Sequence, residues 1–391
     1  MVLRVLTLST LFPDQTRPNF GVFVERQTRE LAGREGTDVT VIAPIGIAPW
    51  PLSALAPYRT LRALPDKEQW QRMTVYRPRF PLIPKIGGRF HVRMMTRAIL
   101  PLVRRLHEQQ PFDVIDASFF YPDGPVAANI ARALAIPFSV KARGADIHYW
   151  GRTPATRSAV LRAGREATGL LAVSEAMKRS MVALGMDADK IDVHYTGVDL
   201  DRFIPTDRPA AKAARHLSGP VVLCVGALIE RKGQELLIRA LPQLPDVTLL
   251  LAGAGPEATH YTRLAEDLGV STRVGMLGAV AHAELPALFN AADIMALPSA
   301  SEGLANAWVE ALACGTPIVI SDVGGARELV TNDTAGRIVE RTPDAIAEAI
   351  RALLLSPPDR EATRSAALRF TWQANGDALF AHLTKLAGKP L

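Results

Sequence analysis

Cysteine is nearly absent: Cys224 and Cys314 are the only two in 391 residues. Each sits in an apolar segment, which argues against a disulfide framework or a zinc cluster and predicts buried free thiols in a reducing compartment. Aromatic residues amount to 6%, and no zinc-finger or RNP pattern accompanies them, which speaks against a nucleic-acid partner. No apolar run reaches the length of a membrane span. The opening MVLRVLTLSTLFP has one basic residue, Arg4, and no small-residue cleavage pattern, so it reads as a buried first strand and not as a signal peptide. Low-complexity tracts and internal repeats are missing too, which removes solenoids and propellers.

The chain is long enough for two domains, each with its own core. Its net charge of +6 is uneven. Residues 1–200 hold 27 Lys+Arg and 18 Asp+Glu, or +9, whereas 201–391 hold 18 and 21, or −3. A basic half beside a nearly neutral one points to an anionic partner on the first half only.

Both halves alternate apolar strands with helical stretches. LRVLTLS, DVTVIAP, DVIDAS, PFSVKAR and GLLAVS are strands of the first half. GPVVLCVGA, VTLLLAG, VGMLGA, DIMALPS and PIVISD are strands of the second. Continuous apolar strands separated by helices predict parallel sheets covered on both faces, hence two doubly wound α/β domains. The join falls near GVDLDRFIPTDRPAAK, and the Pro-rich residues 51–90 read as a loop-heavy insertion. In such sheets ligands bind beyond the carboxyl ends of the strands, so the expected site is a cleft between the two domains.

Two carboxylates stand out in SASEGLANAWVEALACGTP, residues 299–317: Glu302 and Glu310. Read as one helix, the stretch sets them two turns, roughly 12 Å, apart, which suits an elongated ligand with hydroxyls at both ends and phosphates between. The structural alternatives are a Ser299-x-x-Glu302 capping box and an ion pair of Glu310 with an arginine. The start of that helix offers amides and a dipole to an anion. GALIERKG, following another strand, offers Arg231 and Lys232 to the same anion or forms a solvated basic turn.

Taken in order, these segments resemble the retaining glycosyltransferases of family 4, which have the GT-B fold. SASEGLANAWVEALACGTPIVISDVGGARELV is similar to the family's Glu-x7-Glu signature, with Glu302 and Glu310 as the pair, and its basic turn falls on Arg231, Lys232 and Gly233. TLFPDQTRPNFGVFVERQTREL is similar to the family's N-terminal loop, and AVSEAMKRSMVALGMDADKIDVHYTGVDLDRFIP to its exit from the first domain. The resemblance implies two Rossmann-like domains: an acceptor domain over 1–202, a donor domain over 203–373, and a final helix, 374–391, crossing back. It implies transfer of a hexose, with retention, from a UDP- or GDP-sugar to a glycan or lipid-linked acceptor in polysaccharide or cell-envelope glycan synthesis. No metal or other cofactor is implied.

By that resemblance Glu310 binds the ribose, Glu302 the transferred sugar, and Arg231, Lys232 and the amides of Gly303 and Leu304 the diphosphate. Arg231, Lys232 and Glu302 are the catalytic set. Gly21, Gly226, Ala305 and Asn306 complete the donor set, while Asn19, Arg143, Asp146 and His148 lie near the acceptor or sugar. Two positions depart from the pattern. Ala227 stands where members often carry an arginine, and Arg143 stands where many have a histidine. The alternatives are a nucleotide-sugar epimerase of the same fold, a non-catalytic sugar-binding protein, and an NAD-dependent oxidoreductase built on GAGPEA, residues 253–258. Asp187 and Asp189 in DADK mimic a metal motif but sit in a polar turn. Finally, residues 84–109 form a basic amphipathic stretch with Met94, Met95, Ile99, Leu102, Val103 and Leu106 as its stripe. It either packs on the first sheet or lies on anionic lipid, which would make a cytoplasmic protein peripheral at the inner face of the cell membrane.

Overall fold

The computed structural model describes residues 2–18, 20–83 and 90–390. The chain divides into two compact units, Met1–Gly197 with Trp372–Leu391, and Val198–Thr371. The joins expected from sequence were 202/203 and 373/374.

The strands of the first unit are β1 (Leu3–Leu8), β2 (Thr37–Ile42), β3 (Ile45–Ile47), β4 (Lys67–Trp70), β5 (Met73–Tyr76), β6 (Arg79–Pro81), β7 (Val114–Ala117), β8 (Phe138–Ala142), β9 (Gly169–Ala172) and β10 (Ile191–Val193). Eight of them form one sheet in the order β10-β9-β8-β7-β1-β2-β5-β4. All pairs are parallel except β4 with β5. This hairpin, a helix over Ala56–Arg62 and β6, which pairs with β3, occupy the stretch expected to be a loop-heavy insertion. The central strands are buried on both faces, as helices on both sides of a parallel sheet require. Helices His91–Gln109, Asp123–Leu134 and Pro154–Glu166 cover one face, with Met95, Ile99, Val103, Ile130 and Val160 in that core. Helices Val22–Ala32 and Trp372–Leu386 cover the other, through Val24, Leu31, Leu379 and Leu383.

The second unit has six parallel strands, β11 (Val221–Val225), β12 (Thr248–Ala252), β13 (Val274–Gly278), β14 (Ile294–Leu297), β15 (Ile318–Ser321) and β16 (Gly336–Val339). Their order is β13-β12-β11-β14-β15-β16. The strand order reverses between β11 and β14, and ligands of such sheets bind outside the carboxyl ends of the strands at that point. Both cysteines are buried and free, and burial pushes each thiol up to about 12.

Candidate active site

Two loops meet at the reversal point of the second unit. After β11 the chain passes Gly226 and makes a tight turn over Glu230–Lys232. After β14 it passes Pro298 and reaches Glu302. Gly233 has φ 77° and a Cβ there would collide with the Pro298 carbonyl oxygen, so glycine brings the two loops together. The result is an ion pair: Lys232 Nζ lies 2.5 Å from Glu302 Oε1, with Arg231 Nη1 3.8 Å from the same oxygen. Arg231 also donates to the Ser301 carbonyl and its own carbonyl accepts from the Ala300 amide at 2.8 Å. A Cβ at Gly226 would meet the Lys232 stem and Leu297 at ordinary contact distance.

Glu302 stands in a loop. The helix that follows is Asn306–Ala313, with Ala305 at its N-cap and no side-chain cap. Two expectations are thereby corrected. Ser299 lies too far upstream to cap this helix, and its carbonyl instead accepts from Ser321 Oγ. Glu302 and Glu310 do not share a helix, so their separation is not eight residues of helical rise. The cause is Gly303, whose carbonyl accepts from the Gly325 amide at 2.7 Å, while Gly324, at φ 53°, packs against the Glu302 and Gly303 carbonyls. That clamp goes with a non-helical backbone over residues 302–305. The helix begins four residues after Glu302, and its first amides have no partners within the helix. Leu304 buries its side chain, and Asn306 is half-buried.

Glu310 is 6% exposed. Its partner is not an arginine: Oε1 lies 2.7 Å from His282 Nε2. His282 comes from the turn after β13 and stacks edge-on against Phe203, 5.4 Å between centroids. Glu310 Oε2 makes no hydrogen bond among the described residues. Sequence reading missed His282, since nothing in VAHAEL distinguishes it and its contact spans 28 positions.

The glycines that prompted the oxidoreductase reading have a backbone reason for being there. A Cβ on Gly253 would collide with the Gly226 carbonyl, and one on Gly255 with that of Leu228. This loop is glycine-rich so that it can lie against the β11 loop. Asp187 accepts the Asp189 amide at 3.0 Å within the DADK turn.

In the first unit Gly21, at φ 71°, packs against the Leu11 carbonyl and starts helix Val22–Ala32, which explains it as a backbone crossing. Asn19 lies outside the described residues. Arg143 follows β8. Its Nε donates to the Ser118 carbonyl at 2.7 Å, Nη2 reaches Gln27 Oε1 at 3.3 Å, and the guanidinium covers the Phe23 ring at 4.7 Å. Asp146 is fully buried, and its oxygens accept from the amides of Arg143, Gly144 and Phe120. It therefore shapes the loop that carries Arg143. His148 is half-buried in the turn Asp146–Trp150.

Behind Arg143 lies a buried polar group that sequence reading did not find. Lys141 Nζ donates to Gln27 Oε1 at 2.9 Å and to His194 Nδ1 at 2.8 Å. His194 Nε2 sits 2.8 Å from the Asn375 carbonyl, which makes Nε2 the protonated nitrogen and leaves Nδ1 to accept. Burial lowers both Lys141 and His194 well below their ordinary values. Burial also raises Asp116 to about 6 and Asp123 to about 7. A periodicity argument places β7 and β8 as buried strands but does not foresee ionisable groups inside them.

The sequence matches the Glycosyltransferase Family 4 model over residues 21–202 and the Glycosyl transferases group 1 model over 207–370. The D-inositol 3-phosphate glycosyltransferase of Mycobacterium tuberculosis is 38% identical over 241 residues, 57% of this chain and 50% of that protein. The chain thus spans about half the length of the curated relatives it matches. Among solved structures, sucrose-phosphate synthase from Thermosynechococcus elongatus aligns at TM-score 0.81 with 20% identity, covering 99% of each chain. HepE of Anabaena, solved with UDP-glucose, aligns at 0.73 with 23% identity, covering 98% of this chain and all of that one. With both units matched and the fold shared, the chain belongs to the glycosyltransferases of the GT-B fold, in the family 4 group.

Proposed function

We propose that this glycosyltransferase moves a hexose, with retention, from a nucleoside diphosphate sugar to a hydroxyl of a glycan or lipid-linked acceptor. The observation that carries the reading is the Lys232–Glu302 pair, with Glu302 four residues ahead of helix Asn306–Ala313. Two cations and a helix N-terminus at the strand-order reversal are what a diphosphate needs. As the anomeric C–O bond breaks, negative charge grows on the departing diphosphate. Lys232, Arg231 and the amides near Gly303 and Leu304 stabilise it there, in a fixed arrangement. The acceptor oxygen forms the new bond, and its proton goes to a leaving phosphate oxygen. Glu302, displaced in part from Lys232 by the diphosphate, receives the sugar hydroxyls. Glu310, with Oε1 held by His282, offers Oε2 to the ribose. The cations take the role a divalent metal has elsewhere, so turnover should survive a chelator.

The acceptor is bound by the first unit near Arg143, in polysaccharide or envelope glycan synthesis, and the basic surface of that unit meets anionic membrane. HepE's complex with UDP-glucose supports trying a UDP-sugar first. Calorimetry against UDP, GDP and ADP tests the donor assignment. One nucleotide should bind preferentially, and Glu310→Ala should weaken it by about 1.5–3 kcal/mol, as for hydrogen bonds to a charged group. Unchanged affinity would remove the ribose role. A new glycosidic bond in the product separates transfer from epimerisation.

A further inference from the structure

Helix Trp372–Leu386 meets the first sheet through polar groups as well as through Leu379 and Leu383. Near its start, the Asn375 carbonyl accepts from His194 Nε2 at 2.8 Å, and Asn375 Nδ2 donates to the Tyr195 carbonyl at 2.5 Å. Further along, His382 bridges Ser139 of β8 and Asp192 of β10. Beyond the helix, Lys389 pairs with Asp113 at 2.5 Å. His194 extends β10 along β9 through its amide, and both of its ring nitrogens are committed: Nε2 donates to Asn375 and Nδ1 accepts from Lys141 Nζ. The titratable groups facing it are Lys141 of β8, Arg143 after β8 and His382 of the helix, and all three oppose a charge on the ring. Gln27 of helix Val22–Ala32 accepts from Lys141, Asp116 of β7 faces Lys141, and Lys385 faces His382. Among the described residues His194 makes no ion pair with a carboxylate. A cavity of about 570 Å³ borders this interface, with Asp192, His194, His382, Lys385 and Lys389 in its wall. Asp192 is exposed, so solvent reaches that wall.

We propose that helix Trp372–Leu386 is an acid-sensitive latch on the first sheet, with His194 as the group that releases it. A proton added at Nδ1 would point toward the Lys141 ammonium, in a buried site with no carboxylate to offset the charge. The docked helix therefore excludes that proton, and burial with the neighbouring cations lowers His194 well below its ordinary value. Once the helix leaves, the ring is wet and titrates near 6.5. Docking is thus strongest above 6.5 and weakens as pH falls from there toward the docked value. His382, also lowered by burial, acts in the same direction, although its bond to Asp192 offsets part of the effect. Buried Asp116 and Asp123 act in the opposite direction, so the signature of the latch is local: acid frees the helix while the sheet stays folded. Release uncovers Leu379 and Leu383 and, on the sheet side, Val24 and Leu31. The latch works without any donor-site residue.

Amide hydrogen exchange of the whole chain, followed by mass spectrometry at pH 7.5 and 5.5 and corrected for the intrinsic pH dependence of exchange, tests this. A ring kept neutral while docked makes release about tenfold easier at the lower pH. Protection over 372–386 should fall by about that factor, while β11–β16 keep theirs. H194Q offers a neutral amide that donates to Asn375 and accepts from Lys141, so it should keep the protection at pH 7.5 and lose the acid response. K141Q removes the cation facing Nδ1 and should shrink the response as well, which keeps the test open if H194Q does not fold. Equal protection of the parent at both pH values overturns the proposal. An acid response that H194Q or K141Q leaves intact overturns it too, because the titrating group would lie elsewhere. So does protection lost evenly over the helix and the first sheet, which would be unfolding of the unit and not release of the helix.

Discussion

Lys232 Nζ lies 2.5 Å from Glu302 Oε1, a pairing that fixes the orientation of the ammonium group. Removing one preorganised donor from a developing anion costs on the order of 100- to 1,000-fold in turnover. Lys232→Ala should therefore lower kcat by about that much, with a smaller change in donor affinity; steady-state kinetics with saturating donor measure both. A fully active variant would exclude the leaving-group role. Asp123 gives a different residue-scale test. Its folded value, about 7, lies above the unfolded 3.8 because burial disfavours the charge and Asp146 repels it. The folded state thus binds the extra proton, and stability falls as pH rises from the unfolded value toward about 7. Between pH 5 and 7 the loss is on the order of 2 kcal/mol. Denaturant titrations should show a slope that Asp123→Asn reduces; an identical slope would mean the group is ionised throughout. Lys232 was legible as part of a basic turn after a strand. Asp123 was not, since its shift comes from neighbours distant in the chain.

The stretch around Glu302 is a matter of elements. Composition alone reads residues 299–313 as one helix, but the glycine clamp shortens it to eight residues and leaves Glu302 in a loop. Gly324→Ala would place a methyl group against two carbonyls at a positive φ, so it should destabilise the second unit by about 1–3 kcal/mol. Thermal unfolding with and without nucleotide would read both the loss and any displaced Glu302. Another element-scale contact is a chain of hydrogen bonds. Ser139 Oγ is 2.8 Å from His382 Nε2, and His382 Nδ1 is 2.9 Å from Asp192. The order is that of a hydrolase relay, yet Ser139 is fully buried within β8, so no substrate reaches it. The contact fastens helix Trp372–Leu386 to the sheet. Gly169 makes the space, since a Cβ there would lie 2.8 Å from His382 Cε1. Gly169→Ala should loosen that helix, seen as faster amide exchange over 372–386, whereas protection equal to the parent would assign the space no role.

For the whole molecule, the two units differ in how the chain builds them. Val198–Thr371 is continuous and has its own six-stranded sheet. Expressed alone, it should unfold cooperatively and still bind nucleotide. The first unit is completed by the last twenty residues, whose Leu379 and Leu383 are fully buried beside Val24 and Leu31. Residues 1–197 alone would expose that face, with each lost leucine worth about 2–5 kcal/mol. They should be soluble and compact only with the 372–391 segment restored; a stable 1–197 fragment would contradict this. The sequence by itself determined the strand–helix alternation, the two doubly wound sheets and the placement of Arg231, Lys232, Glu302 and Glu310 after strands. These follow from local hydrophobic period and glycine positions, and the motif resemblance sharpened them. Tertiary structure alone decided that His282 partners Glu310, that Glu302 lies off the helix, and that Asp146 serves backbone amides. Each of these depends on which segments pack together across tens of residues, and local periodicity carries no record of that.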